Sequence, residues 1–282
     1  MGVYENKPAQ FFTAVHTDDS ASPRGRVYCA GYELGAWRVK PYAAHLMEWL
    51  PDYALAEEEL TVNHANIYVR MQQAAARIYT SQKYKKRGEV GEITLHAICR
   101  EYFGTIPISN RVFYKSASND VVKAFDLVHA RLPPDGEVEV WLGESKLYSD
   151  PGEAVGDAIS SVKAHLAAGF LQNEKMLLGP QIPKATPRYD EIMKLFQSQT
   201  SLDALLSSAV FVVLIAANSN AAQAANSHTD KYIADVVVEL NDQLDRIGAE
   251  FSKLRMLAVF VPLATKDALV DAFDAKLKGI QP

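Results

Sequence analysis

The run AVFVVLIAA, residues 209–217, constrains this chain more than any other stretch. Nine consecutive apolar residues are too few to span a bilayer, which takes about 20 in a helix. They suit a strand buried inside a sheet. Upstream, YAAHLMEWL within 41–53 reads as an amphipathic helix that ends before Pro51. Apolar residues at Ile67, Met71, Ala74, Ala75, Ile78 and Tyr79 then mark a longer helix over about 63–86. It closes on KYKKR and Gly88, cations in a last turn followed by a stop glycine. KYKKR reads as a solvated helix end, with a phosphate contact as the alternative.

A glycine-bounded helix follows at 88–104, then strands at 111–115 (RVFYK), 121–132 (VVKAFDLVHARL) and 138–148 (VEVWLGESKLY). Asp150, Pro151 and Glu153 form a cap signature for a helix over about 152–170. The segment 171–206 is mixed, broken at Gly179-Pro180 and Thr186-Pro187. Past the 209–217 strand come a helix at 230–254, with Thr229 or Asp230 as cap, a strand at 256–262 and a helix at 266–278. Such an order, α-β-β-β-α-β-α-β-α, predicts an α/β fold whose central mixed β-sheet is flanked by helices.

Charge narrows the function classes. A net charge of −5 over 282 residues argues against a protein that coats nucleic acid by bulk electrostatics, though not against a nucleic-acid enzyme. The first residues are polar and lack the apolar core of a signal peptide. Two cysteines, Cys29 and Cys99, without metal-ligand spacing, predict a reduced, cytoplasmic chain with no membrane association. There is no GxxxxGK[ST] phosphate loop and no GxSxG elbow, so neither ATP hydrolysis nor that type of serine chemistry is expected.

The two strands around PPDGE carry the chemistry. Acid-any-lysine occurs three times, at Glu5/Lys7, Glu144/Lys146 and Asp274/Lys276, where 34 acids and 17 lysines predict about two by chance. The triplet alone is therefore no signal, and its surroundings decide. A five-residue loop sets Leu132 opposite Val138, so opposed residue numbers sum to 270. Asp126 then faces Glu144 with β-carbons about 4.5–5.5 Å apart. Side chains alternate along a strand, so the even-numbered positions share a face. That face holds Val122, Ala124, Asp126, Val128, Ala130 and Leu132 against Val138, Val140, Leu142, Glu144 and Lys146. Apart from Asp126, Glu144 and Lys146 it is entirely aliphatic.

Opposed like charges destabilise a ladder, and unpaired buried charges cost several kcal/mol. Lys146 neutralises one carboxylate, whereas a divalent cation neutralises the pair. The plainer alternative is a buried Lys-Glu pair with Asp126 at an exposed strand end. Glu92 shares a helical stripe with Leu95, His96, Cys99 and Phe103, so it faces the sheet. Alone it reads as a helix-dipole acid; beside the hairpin it becomes a third carboxylate. Three oxygen donors with room for water suit Mg2+ or Mn2+. His96, His129 and His228 lack metal-pair spacing and read as structural or exposed.

Glu92 on a helix, Asp126 on a strand and Glu144-Ser145-Lys146 on its partner resemble the PD-(D/E)xK nuclease superfamily in spacing and element order. The resemblance spans about 88–217 and lacks only the motif proline, Phe125 standing before Asp126. More narrowly, GEITLHAI, FDLVHARL, WLGESKLY, EAVGDAISSVKAHL and the upstream HLMEWLPDYAL are similar to the HamA family of Hachiman anti-phage effectors. That resemblance implies a restriction-endonuclease-like core and a metal-dependent DNA endonuclease. Its implied catalytic residues are Glu92, Asp126, Glu144 and Lys146. The implied ligands of Mg2+ (or Mn2+) are Asp126, Glu144, the Ser145 backbone carbonyl and Glu92; Lys163 reads as an ordinary surface lysine, with a phosphate contact as the alternative. The resemblance further implies a HamB-type superfamily 2 helicase as partner. Residues 63–282 would form the nuclease domain. Residues 1–62, as an N-terminal extension, and the elements after 217 would be available for docking. A non-catalytic adaptor retaining the fold, and a nuclease acting on RNA, are the alternatives.

Overall fold

The computed structural model describes residues 3–79, 88–109 and 125–280. The expected strand RVFYK and the KYKKR helix end lie outside these. The first sheet strands are β1 (Thr13–Asp18) and β2 (Arg24–Cys29); β3 (Tyr32–Glu33) and β4 (Ala36–Trp37) make a separate small hairpin. Helices α1 (Val39–Ala54), α2 (Ile67–Tyr79) and α3 (Gly88–Tyr102) lead to β5 (Ile106–Ser109), β6 (Leu127–Arg131) and β7 (Glu139–Tyr148). The chain continues through α4 (Pro151–Leu166), α5 (Ala168–Leu178), α6 (Tyr189–Phe196) and α7 (Leu202–Ser208) to β8 (Ala209–Asn218). Then follow α8 (Asn220–Ala224), α9 (Asp230–Phe251), β9 (Met256–Leu263) and α10 (Lys266–Lys278).

Among the described residues, seven strands form one mixed sheet in the order β1-β2-β9-β8-β7-β6-β5. β8 sits at its centre, parallel to both β7 and β9, and every residue from 209 to 217 is buried. Its odd-numbered side chains, among them Phe211 and Val213, join the core beneath α4 and α9. Its even-numbered ones, such as Val212 and Leu214, join the core beneath α1, α3 and α10. Helices on both faces are what permit an unbroken apolar strand. β1 and β2, from the first 62 residues, belong to this same sheet, with β2 parallel to β9.

Local signals account for most boundaries. Asp150 caps α4 by accepting the Glu153 amide at 2.8 Å, with Pro151 in the first turn. Thr229 caps α9 through the Tyr232 amide at 3.1 Å. Two expectations differ. α1 runs through Pro51 to Ala54: proline removes one amide near the last turn, and buried Trp49, Leu50 and Tyr53 continue the apolar stripe across it. β5 is an unexpected strand, lying ahead of the 111–115 segment and pairing Ile106 with Ala130 at the edge of the described sheet. Pro107 hides it in the sequence, yet an edge strand tolerates proline.

Candidate active site

The β6–β7 hairpin takes the expected register, pairing Leu127 with Gly143, Val128 with Leu142 and Arg131 with Glu139. The ladder stops one residue short of Asp126, where the chain bends. The Asp126 amide donates to the Gly143 carbonyl at 2.9 Å. Its carboxylate accepts from the Ser145 amide at 2.8 Å and from the Ser145 hydroxyl at 3.0 Å. Asp126 is thus not stacked across from Glu144 on the aliphatic face. The bend turns its carboxylate onto the amide and hydroxyl of Ser145, on the α3 side of β7, while the neighbouring Glu144 points to the α4 side.

Glu144 points under α4 and is 5% exposed. Its Oε1 lies 2.8 Å from Lys146 Nζ, which also donates to Ser161 Oγ of α4 at 3.0 Å. Its Oε2 is buried without a hydrogen-bond partner among the described residues and lies 3.7 Å from His165 Nδ1. A buried carboxylate oxygen left in that state is costly.

Glu92 reaches the same strand from the opposite side. It is buried on α3, and its Oε2 accepts from the Tyr53 hydroxyl of α1. Two glycines set the depth of α3. A side-chain carbon at Gly143 would meet Leu95 at 2.8 Å and Leu127 at 2.9 Å, and one at Gly91 would lie 3.5 Å from Ser145 Oγ. Tyr53, which holds Glu92, and Asp126 line one small cleft together with His96, Ser109 and His129.

Behind that cleft lies a buried polar network absent from the sequence reading. His96 Nε2 is 2.7 Å from Asp52 Oδ1, His96 Nδ1 is 3.2 Å from His129 Nε2, and His129 Nδ1 is 2.8 Å from Thr105 Oγ1. Proton bookkeeping has one solution with both rings neutral: Thr105 donates to His129, His129 to His96 and His96 to Asp52. Burial, the main cause, holds both imidazoles below their usual value, His129 well below it. Fully buried Arg100 donates to both Asp52 oxygens at 3.1 Å and to the Thr105 and Tyr4 carbonyls at 2.8 Å. Burial pushes the Asp52 carboxyl up, but the hydrogen bond from His96 and the charge and hydrogen bonds of Arg100 outweigh it and hold it below its ordinary value.

The remaining expected residues are placed more plainly. Lys163 is paired with Glu250 of α9 at 2.5 Å. His228 is half-buried and stacks on Tyr232, ring centroids 5.4 Å apart. Cys29 and Cys99 are both buried, and burial pushes the Cys29 thiol up to about 12.

Among the described residues no three of His, Cys, Asp and Glu form a metal cage. Mg2+ does not require one, since it binds through one or two carboxylates and keeps waters and substrate phosphate. Asp126, bonded to Ser145 on the α3 side of β7, and Glu144, under α4 with one oxygen that makes no hydrogen bond, flank Ser145 from the two sides of the strand, and their carboxylate chemistry suits a hard divalent cation.

Fold and site together define the class: an α/β protein whose seven-stranded mixed sheet, flanked by helices, is consistent with a nuclease-like core. The family model for HamA matches residues 9–277. The chain belongs to the HamA family, and with it to the components of the Hachiman anti-phage defence system. A search of curated proteins returned no match. No helix of the described residues is long and apolar enough to cross a membrane.

Proposed function

We propose that this chain is the metal-dependent DNA endonuclease of its defence system, hydrolysing phosphodiester bonds when a helicase partner releases or activates it. The observation that carries the reading is Asp126 bound to the Ser145 amide while Glu144 and Lys146 pair on either side of that residue. Asp126, Glu144 and the Ser145 carbonyl would hold Mg2+ or Mn2+, with Glu92 assisting from α3. The chemistry that such an ion supplies when bound is charge neutralisation at the scissile phosphate and a more acidic water.

Lys146 Nζ, held by Glu144 and Ser161, keeps a donor beside the carboxylates, where it orients the attacking water and stabilises negative charge developing on the phosphoryl oxygens. Tyr53 fixes the Glu92 carboxylate. α4 covers Glu144 and excludes water from its buried side. Residues 1–62 are the surface we assign to the partner helicase. Met47, Leu60 and Val62 line an open cavity of about 770 Å³ there, together with Ile67 and Met71 of α2. Plasmid cleavage with Mg2+ or Mn2+, with and without the helicase, tests the reading. Wild type should cut, and Glu144→Ala/Lys146→Ala should not. Equal behaviour of the two in cleavage and in phage protection sinks it, and parallel RNA substrates separate the two nucleic acids.

A further inference from the structure

The least explained side chain near the two carboxylates is His165. It sits on the last turn of α4, is 4% exposed, and lies 21 positions beyond Glu144 in the chain. Its ring is clamped by two phenylalanines, with centroids 4.4 Å from Phe125 and 4.8 Å from Phe170, the latter nearly parallel at 20°. Its Nδ1 faces Glu144 Oε2 at 3.7 Å. Phe125 is the residue immediately before Asp126. One imidazole therefore touches the carboxylate of Glu144 and the side chain that anchors the approach to Asp126.

We infer that His165 is a positioning residue for this carboxylate pair: it limits Glu144 to the orientation that leaves Oε2 available to a divalent cation. The inference rests on the reading of Asp126 and Glu144 as metal ligands. Lys146 holds one oxygen of Glu144 and leaves the carboxylate free to turn about that contact. The Nδ1 of the imidazole faces the second oxygen at 3.7 Å, and it is this nitrogen that favours the present orientation of the carboxylate. The imidazole is itself held rigid by the aromatic clamp, since paired rings at these spacings resist reorientation. Carboxylates that bind metals are themselves oriented by neighbouring groups, and removing such a neighbour costs roughly 10–100-fold in metal affinity.

Mn2+ binding to the purified full chain without nucleic acid, followed by isothermal titration and by electron paramagnetic resonance, tests this independently of cleavage. His165→Phe keeps a ring in the clamp and removes the nitrogen. It should bind Mn2+ about 10-fold more weakly than wild type while the metal-free melting temperature stays within a few degrees. His165→Asn places an amide N–H where Nδ1 lies and should recover most of the affinity. His165→Leu is the second donor-free variant, in case the phenyl ring does not pack, and should match His165→Phe. Wild-type affinity in the donor-free variants, or an Asn variant as weak as they are, overturns the inference alone. Absence of Mn2+ binding by wild type overturns the metal reading and the inference with it.

Discussion

The two faces of the sheet bury charge in opposite ways. On the α3 side, Asp52, His96, Arg100, His129 and Thr105 form a closed set in which every ring nitrogen is engaged and Asp52 is bonded through both oxygens. On the α4 side, Glu144 spends one oxygen on Lys146 and keeps the other without a hydrogen bond. Burial alone therefore does not mark a site. Nor does an orphaned oxygen, since Glu101 and Glu174 each carry one as well. Glu144 is set apart by Lys146 two residues on and by the Asp126 carboxylate on Ser145. The first network satisfies its own groups; the second leaves one carboxylate oxygen without a hydrogen bond, the feature on which our proposal of a metal rests.

Breaking the closed side should have the largest effect on folding. Asp52→Ala leaves Arg100 buried without its carboxylate and should cost about 3–5 kcal/mol in denaturant unfolding. Glu144→Gln should do the reverse. Cleavage should fall at least about 100-fold, while stability changes by less than about 1 kcal/mol, because a carboxylate with an unmet oxygen becomes a neutral amide. A matching loss of stability in both variants would erase the contrast.

Acid should sharpen it. His96 and His129 are held below the ordinary histidine value, so the unfolded chain takes up protons first as pH falls. Their contribution is whole above about pH 6.5 and is lost as pH drops through that value. Unfolding at pH 5.5 should therefore need roughly 2 kcal/mol less than at pH 7.5, and this drop should shrink in His129→Phe. The smallest effect is expected at Glu174, which burial raises to about 7. A raised carboxyl stabilises below the unfolded value of about 4.5 and loses that stability as pH rises through 7. Glu174→Gln should gain about 1 kcal/mol at pH 8, discounted for partial solvation, with the gain vanishing below pH 4.5.

Local chemistry was legible in the sequence, and long-range partnership was not. PPDGE fixed the hairpin length, so the pairing of Leu127 with Gly143 followed from counting. Asp150-Pro151 announced α4, and the apolar run announced β8. The bend at Asp126 was hidden because nothing in FDLVHARL distinguishes a ladder residue from one just outside it. The Asp52 network joins α1, α3 and β6 across gaps of 44 and 33 residues, a relation with no periodicity to detect. His165 falls in the expected helix over 152–170 with no spacing of its own to single it out; only the packing of α4 on β7 brings it to Glu144. The pairing of Lys163 with Glu250 is of the same kind.

The most direct test is anomalous diffraction at the manganese edge from crystals of the wild-type chain soaked in MnCl2. A peak bounded by the carboxylates of Asp126 and Glu144, with Glu144 Oε2 as a ligand, is the predicted result. Manganese bound elsewhere, with density at neither carboxylate, would contradict the claim that the open side of the sheet is built for a metal.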